Sequence, residues 1–100
     1  KPIIISEVGG GALQGLHGDP GERWTEEYQN AVYVNNIEMM RNIDFLAGVS
    51  PWILMDFRSH RRHLRRIQKD FNRKGLISEK GLKKKAFFTL KEFYLSENNY

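Results

Sequence analysis

Apolar residues along this chain fall into two kinds of pattern. Pro2–Ser6 (PIIIS) is β-branched and does not alternate with polar residues. Such a run fits a short strand buried on both faces, as in a parallel sheet. Leu46–Phe57, which contains VSPWILMDF, is again apolar without clear alternation and predicts a second strand. Pro51 has no N–H to give a ladder, so it is expected near that strand's start or at a bulge. Between the two, apolar residues recur at helical spacing. Thr25 can cap a helix that runs to about Asn42, and Glu26 and Glu27 suit the positive end of its dipole.

This helix carries two stripes. Tyr28, Ala31, Val32, Met39 and Ile43 form the one expected to face the core. Tyr33, Ile37 and Met40 lie nearly opposite and are expected to meet a neighbouring helix or another part of a larger protein. A last helix is predicted from about Lys83 to Glu97. Its Ala86, Phe87, Leu90, Phe93 and Tyr94 keep the i, i+3, i+4, i+7 spacing of one buried face. Val8–Gly21 holds six glycines and a proline in 14 residues and reads as a loop longer than most ordered connections.

The order strand, helix, strand, helix predicts an α/β fold of two consecutive βα units with parallel strands. Two strands cannot close a sheet. The economical expectation is a fragment of a (β/α)8 TIM barrel, its last two units, with residues 1–100 forming one partial domain. A complete barrel takes about 250 residues.

Composition narrows the chemistry. With 40% hydrophobic and 12% aromatic residues the chain is globular, and the absence of cysteine excludes disulfides and thiolate metal sites. No apolar run is long enough to cross a bilayer, so no membrane partner is expected. The chain starts at Lys1 without a visible signal peptide, which leaves secretion open. Charge is uneven: Arg58–Lys74 sets eight basic residues against the single acid Asp70, a net of +7, leaving −3 for the rest of a chain whose total is +4. That stretch is either a solvated loop or a surface for an anionic partner.

Active sites of α/β barrels gather where strands end. Glu7 closes the first strand, Trp52 and Asp56 lie in and at the end of the second, and Asn72 and Lys74 follow in the basic stretch. A fixed carboxylate can attack an anomeric carbon, an indole face can stack on a sugar, and an ammonium can pair a substrate carboxylate. Each residue also has a plain reading. Glu7 can cap a sheet end, and Trp52 can be core. Asp56 is expected to hold a loop or pair an arginine. His17 can line a pocket or structure its own loop. His60 and His63 are three apart but have no acidic company, so no metal is expected. Lys83, Lys84 and Lys85 open a helix against its dipole and are expected to be solvated.

Taken in order, KPIIISE, GLHGDP, WTEEYQ, SPWILMDF, NRKGL and KKKAFF span nearly the entire chain and resemble glycoside hydrolase family 2. They are most similar to the closing portion of the catalytic barrel in β-glucuronidases and their β-galactosidase-like relatives. The resemblance implies that Glu7 is the nucleophile of a retaining mechanism and that Trp52 walls the sugar pocket. It implies that Asn72 and Lys74, in Asn-Arg-Lys-Gly, hold the C6 carboxylate of a β-glucuronide, which favours that substrate over a β-galactoside. It implies no cofactor, no metal, and upstream β-sandwich domains beside the rest of the barrel. The full-length protein is expected to be a bacterial enzyme of the cytoplasm or periplasm, and to be homo-oligomeric.

Two departures stand out: the nucleophile is followed by Val8-Gly9-Gly10 rather than an aromatic residue, and the basic stretch is unusually charged. The family's proton donor, a Glu after an Asn, has no counterpart here. Ser96-Glu97-Asn98 reverses the order, so the chain alone is expected to be inactive. A nucleic-acid-binding reading of RSHRRHLRRIQK is the rival from another class, disfavoured by its few aromatics. A structural βα module without activity is the third.

Overall fold

The computed structural model describes residues 3–44 and 46–97. Pro2 and Asn98, which enter two of the expectations above, lie outside the described residues. The elements are β1 (Ile3–Val8), α1 (Glu26–Arg41), β2 (Leu46–Pro51), β3 (Phe57–Arg58), β4 (Phe71–Asn72) and α2 (Lys85–Glu97).

β1 and β2 pair in parallel, with Ile4 opposite Gly48, Ile5 opposite Val49 and Val8 opposite Pro51. The parallel βα order read from the sequence is therefore present. Register slips between Ile5 and Val8, and Pro51 closes β2 beside that slip rather than opening the strand. A proline fits there because the ladder is already interrupted. The expectation that both faces of β1 are buried does not hold within this chain. Ile5 packs on the core while Ile4 is 70% exposed, because among the described residues the core gathers under one face of a two-stranded sheet.

α1 starts where its capping chemistry says. Thr25 takes an extended conformation and its hydroxyl accepts from the Tyr28 N–H at 3.0 Å. At the other end the Asn42 N–H closes onto the Met39 carbonyl at 3.1 Å. The Tyr33 stripe of α1 meets a neighbouring helix as expected, but that contact is itself the core, and the stripe expected to face the core is the less buried one. Tyr33, Ile37 and Met40 are buried and form the core with Leu76 and with Ala86, Leu90 and Phe93 of α2. Met39 is instead 49% exposed, and Tyr28, Ala31, Val32 and Ile43 are only partly buried. The physical reason is α2: its single apolar face needs a partner, and the Tyr33 stripe is the one turned toward it. Ile5, Val8, Leu46 and Val49 complete the core from the sheet.

The basic stretch is not a simple loop. β3 and β4 pair antiparallel, Phe57 with Asn72 and Arg58 with Phe71, and clamp its base. Arg58 and Arg73 both approach the Phe71 ring, with guanidinium carbons 5.1 and 4.9 Å from its centroid, a cation–π geometry. Among the described residues no helix is long and apolar enough to cross a membrane, and no three His, Cys, Asp or Glu side chains gather as a metal site would require.

Candidate functional site

The ends of β1 and β2 meet at one edge of the sheet. The Trp52 N–H donates to the Val8 carbonyl at 2.8 Å, extending the parallel pairing by one bond past Pro51. The Ile53 N–H then donates to the Lys74 carbonyl at 3.1 Å, drawing the segment after β4 alongside. Three separate stretches thus converge on an open hollow of about 170 Å³ lined by Glu7, Val8, Gly9, Trp52 and Lys74. The sequence places Glu7, Trp52 and Lys74 in one site, and the structure brings these three side chains to one concavity. Neither the Glu7 carboxylate nor the Lys74 ammonium has an ion-pair partner among the described residues.

Trp52 is 37% exposed, so its indole is a wall and not a core filler. Its ring stands edge-on to Phe57, with centroids 6.1 Å apart and planes at 84°, a favourable aromatic pairing that fixes its tilt. Gly9, next to Val8, has φ +147°. A Cβ there would come within 2.6 Å of the Tyr33 hydroxyl and 2.7 Å of the Trp52 carbonyl, so the chain can turn beside the hollow only as glycine. The Tyr33 hydroxyl, whose pKa burial pushes up to about 12, reaches the Val8 and Trp52 carbonyls at 3.5 Å each.

Asn72 is placed differently from the other three. It is 5% exposed and does not line the hollow. Its side-chain oxygen accepts from the Lys74 N–H at 2.9 Å, the local turn that an Asn two residues before a backbone donor commonly makes. Asn72 shapes the backbone from which Lys74 projects.

Beneath the hollow lies a buried polar frame that the sequence reading did not anticipate. Asp56 is 3% exposed and Lys84 is fully buried, with Oδ1 and Nζ 2.8 Å apart. Asp56 Oδ1 also accepts from the Gly75 N–H at 2.8 Å, and Oδ2 lies 3.4 Å from Nη1 of the Arg73 guanidinium, the same nitrogen that pairs with Glu79. Burial raises the pKa of Asp56 and lowers that of Lys84, each opposed by the charge of the other. Asp56 pairs an arginine as expected, whereas Lys84 is no solvated side chain. Gly75 must be glycine, since a Cβ would sit 2.2 Å from the Asp56 nitrogen.

Gln29, also fully buried, donates through Nε2 to the Gly10 carbonyl at 3.0 Å and the Gly75 carbonyl at 2.9 Å. The signal for Gln29 was available, because Glu26, Gln29, Tyr33, Ile37 and Met40 share one helical face and the polar pair extends the buried stripe. Glu26 follows suit: its two oxygens accept from the Gly15 N–H at 2.7 Å and from the Lys85 N–H at 2.6 Å, tying the glycine loop and the start of α2 to α1.

His17 structures its loop by bonding Glu27 at 2.9 Å and lies away from the hollow. A larger depression of about 610 Å³ lies between α1 and α2, lined among others by Ile37, Arg41 and Phe93, and holds none of the candidate site residues Glu7, Trp52, Asn72 and Lys74.

No family model matches the chain. Curated relatives do. A β-glucuronidase from Mus musculus is 35% identical over 96 residues, covering 94% of this chain and 14% of the mouse protein. One from Paenibacillus borealis is 33% identical over 86 residues, covering 86% of this chain and 14% of that protein. The chain therefore spans about one-seventh of the length of these relatives. Among solved structures, a GH2 β-galacturonidase from Eisenbergiella tayi bound to galacturonate superposes with TM-score 0.86 at 30% identity, covering all of this chain and 18% of the other. A β-D-glucuronidase from Dictyoglomus thermophilum gives TM-score 0.81 at 33% identity over 95% of this chain and 16% of the other.

Proposed function

We propose, from a chain whose likenesses set it among the glycoside hydrolases of family 2, that it supplies the nucleophile half of the active site of a retaining β-uronidase, with β-D-glucuronides as the substrate. The single observation that carries the proposal is the hollow where Glu7, Trp52 and Lys74 converge. Parallel strands with both helices on one face, and Ile4 bare on the other, support its placement as two βα units of a (β/α)8 barrel. Ile4 would face the barrel interior.

In that setting the roles follow from charge. Glu7, exposed and without an ion-pair partner among the described residues, attacks the anomeric carbon from one side of the sugar. A second carboxyl about 5–5.5 Å away protonates the leaving oxygen. No Asn-Glu sequence occurs in these 100 residues, so that donor belongs to another part of the enzyme and the chain alone does not turn over substrate. A glucuronate brings its own negative charge near Glu7. Lys74 offsets the repulsion as a compact cation, and Asn72, by holding the Lys74 N–H, fixes where that cation starts. Trp52 offers an indole face for the ring. The galacturonate held by the Eisenbergiella enzyme makes a β-galacturonide the second reading, since the same ammonium would serve either uronate. A neutral β-galactoside leaves Lys74 without a task.

The test is to trap the intermediate. A 2-deoxy-2-fluoro-β-D-glucuronyl fluoride incubated with the complete enzyme should leave its sugar esterified to Glu7, read by mass spectrometry of the peptides. A label on any other carboxylate sinks the assignment of the nucleophile.

A further inference from the structure

Lys84 is fully buried, and its ammonium makes three hydrogen bonds to three different segments. Nζ donates to the Ala12 carbonyl at 2.7 Å, to Asp56 Oδ1 at 2.8 Å and to the Arg73 carbonyl at 3.1 Å. Ala12 belongs to the glycine loop that follows Glu7, Asp56 to the stretch that follows Trp52, and Arg73 immediately precedes Lys74. An ammonium has three N–H groups and no acceptor, so this set leaves it fully satisfied.

Stability alone gives little reason for a lysine here. It sits just before α2, where the helix dipole disfavours a cation. A buried ion pair is commonly no better for folding than an apolar pair of the same volume. What the lysine does is geometric. The peptide units around Lys74 are held on every side: its N–H by Asn72, its carbonyl by Ile53, the preceding carbonyl by Lys84 together with the Ala12 N–H, and the following N–H by Asp56. The same Asp56 oxygen takes both the Gly75 N–H and the Lys84 ammonium, so the two charges act as one clamp. The Lys74 side chain itself is exposed and unpartnered among the described residues.

We infer that Lys84, clamped with Asp56, is a positioning residue that sets where the Lys74 ammonium meets an anionic sugar. This rests on the uronide reading of the hollow. Loss of the Lys84 ammonium removes one of the two holds on the Arg73 carbonyl and the charge that pins Asp56 against the Gly75 N–H. The backbone on both sides of Lys74 loosens while β1 still holds Glu7. A misplacement of about 1 Å can lower reactivity about 100-fold, and here the loss falls on the carboxylate-bearing substrate.

The experiment compares p-nitrophenyl β-D-glucuronide with p-nitrophenyl β-D-glucoside, which differ only at C6, in the complete enzyme carrying this chain. Lys84→Met keeps the volume and removes the three donors. It is expected to raise KM and lower kcat/KM for the glucuronide by about 10- to 100-fold, and to change the glucoside by less than about 3-fold. Lys74→Met is the reference. If that variant leaves the glucuronide preference intact, the uronide reading fails, whatever Lys84 does. If it abolishes the preference while folded Lys84→Met retains it, or loses both substrates equally, the positioning role alone is overturned. Should Lys84→Met not fold, Asp56→Asn/Lys84→Met removes both charges together and answers the same question. Failure of that variant to fold as well would make the clamp a stability element and overturn the inference.

Discussion

The open hollow and the buried frame beneath it use the same residue types in opposite ways. In the hollow a carboxylate and an ammonium, Glu7 and Lys74, share a concavity and have no ion-pair partner among the described residues. A few residues away, Asp56 and Lys84 are a carboxylate and an ammonium with every strong hydrogen-bonding site engaged. Water keeps the first pair inexpensive to leave unmatched, whereas burial makes an unmatched charge untenable for the second. Unpaired charges at a rim can exchange water for a ligand, and paired charges below can hold the rim still. The frame has one exception: Gln29 Oε1 is the buried side-chain oxygen that finds no partner among the described residues, although its amide nitrogen bridges Gly10 and Gly75.

The sharpest way to break this contrast is to remove one carboxylate from each region. Glu7→Gln in the complete enzyme should lower kcat by about 1,000-fold or more, as loss of a nucleophile does. Because Glu7 is exposed and has no ion-pair partner among the described residues, the variant's melting temperature should stay near that of the parent, in keeping with the roughly 0.5 kcal/mol that surface substitutions cost. Activity that survives would move the nucleophile elsewhere. Asp56→Ala should do the reverse. It leaves the Lys84 ammonium buried without its carboxylate and Arg73 with Glu79 alone, and breaking a buried pair costs about 3–5 kcal/mol. Thermal melting should register that loss before any assay does. A variant that melts like the parent would show that the frame is wetter and looser than its geometry.

How much of this could be read from the chain depends on how local the cause is. β1 was legible because three consecutive isoleucines suit little else, and α1 because Thr25 and two acids mark its entrance. The convergence of Glu7, Trp52 and Lys74 was legible too, since parallel strands place their ends, and the loops beyond them, at one edge. The choice between the two stripes of α1 was not, because both are apolar and only the approach of α2 decides between them. The two-residue strands β3 and β4 leave no period to detect. Lys84 reads as surface in a run of three lysines, and its burial depends on Asp56, 28 residues earlier. Asn72 was expected at the substrate, and its turn toward Lys74 N–H emerges only with the backbone. The polar frame is a property of pairs, and single positions do not announce it.

A third charged pair lies at the surface, with His17 exposed and Glu27 partly so, and sharpens the contrast from its weak side. His17 Nδ1 bonds Glu27 at 2.9 Å, and the Gly18 N–H donates to the same carboxylate at 3.0 Å. The His17 hydrogen bond is the largest cause that holds the pKa of Glu27 down to about 2, against an ordinary 4.5. The bond to Glu27 likewise raises His17 above its ordinary 6.5. A depressed carboxyl contributes above its unfolded pKa and loses its share as pH falls toward 2. A raised imidazole contributes fully below 6.5 and loses its share as pH climbs through the raised value. The link is therefore strongest between about 4.5 and 6.5. Glu27→Gln should lower the NMR titration midpoint of the His17 ring protons toward the ordinary histidine value. The same change should barely move the melting temperature, because exposed pairs are screened and add little. If the midpoint does not fall, Glu27 is not what charges His17. If instead the melting temperature drops as far as in Asp56→Ala, depth of burial is not what separates the structural charges of this chain from the rest.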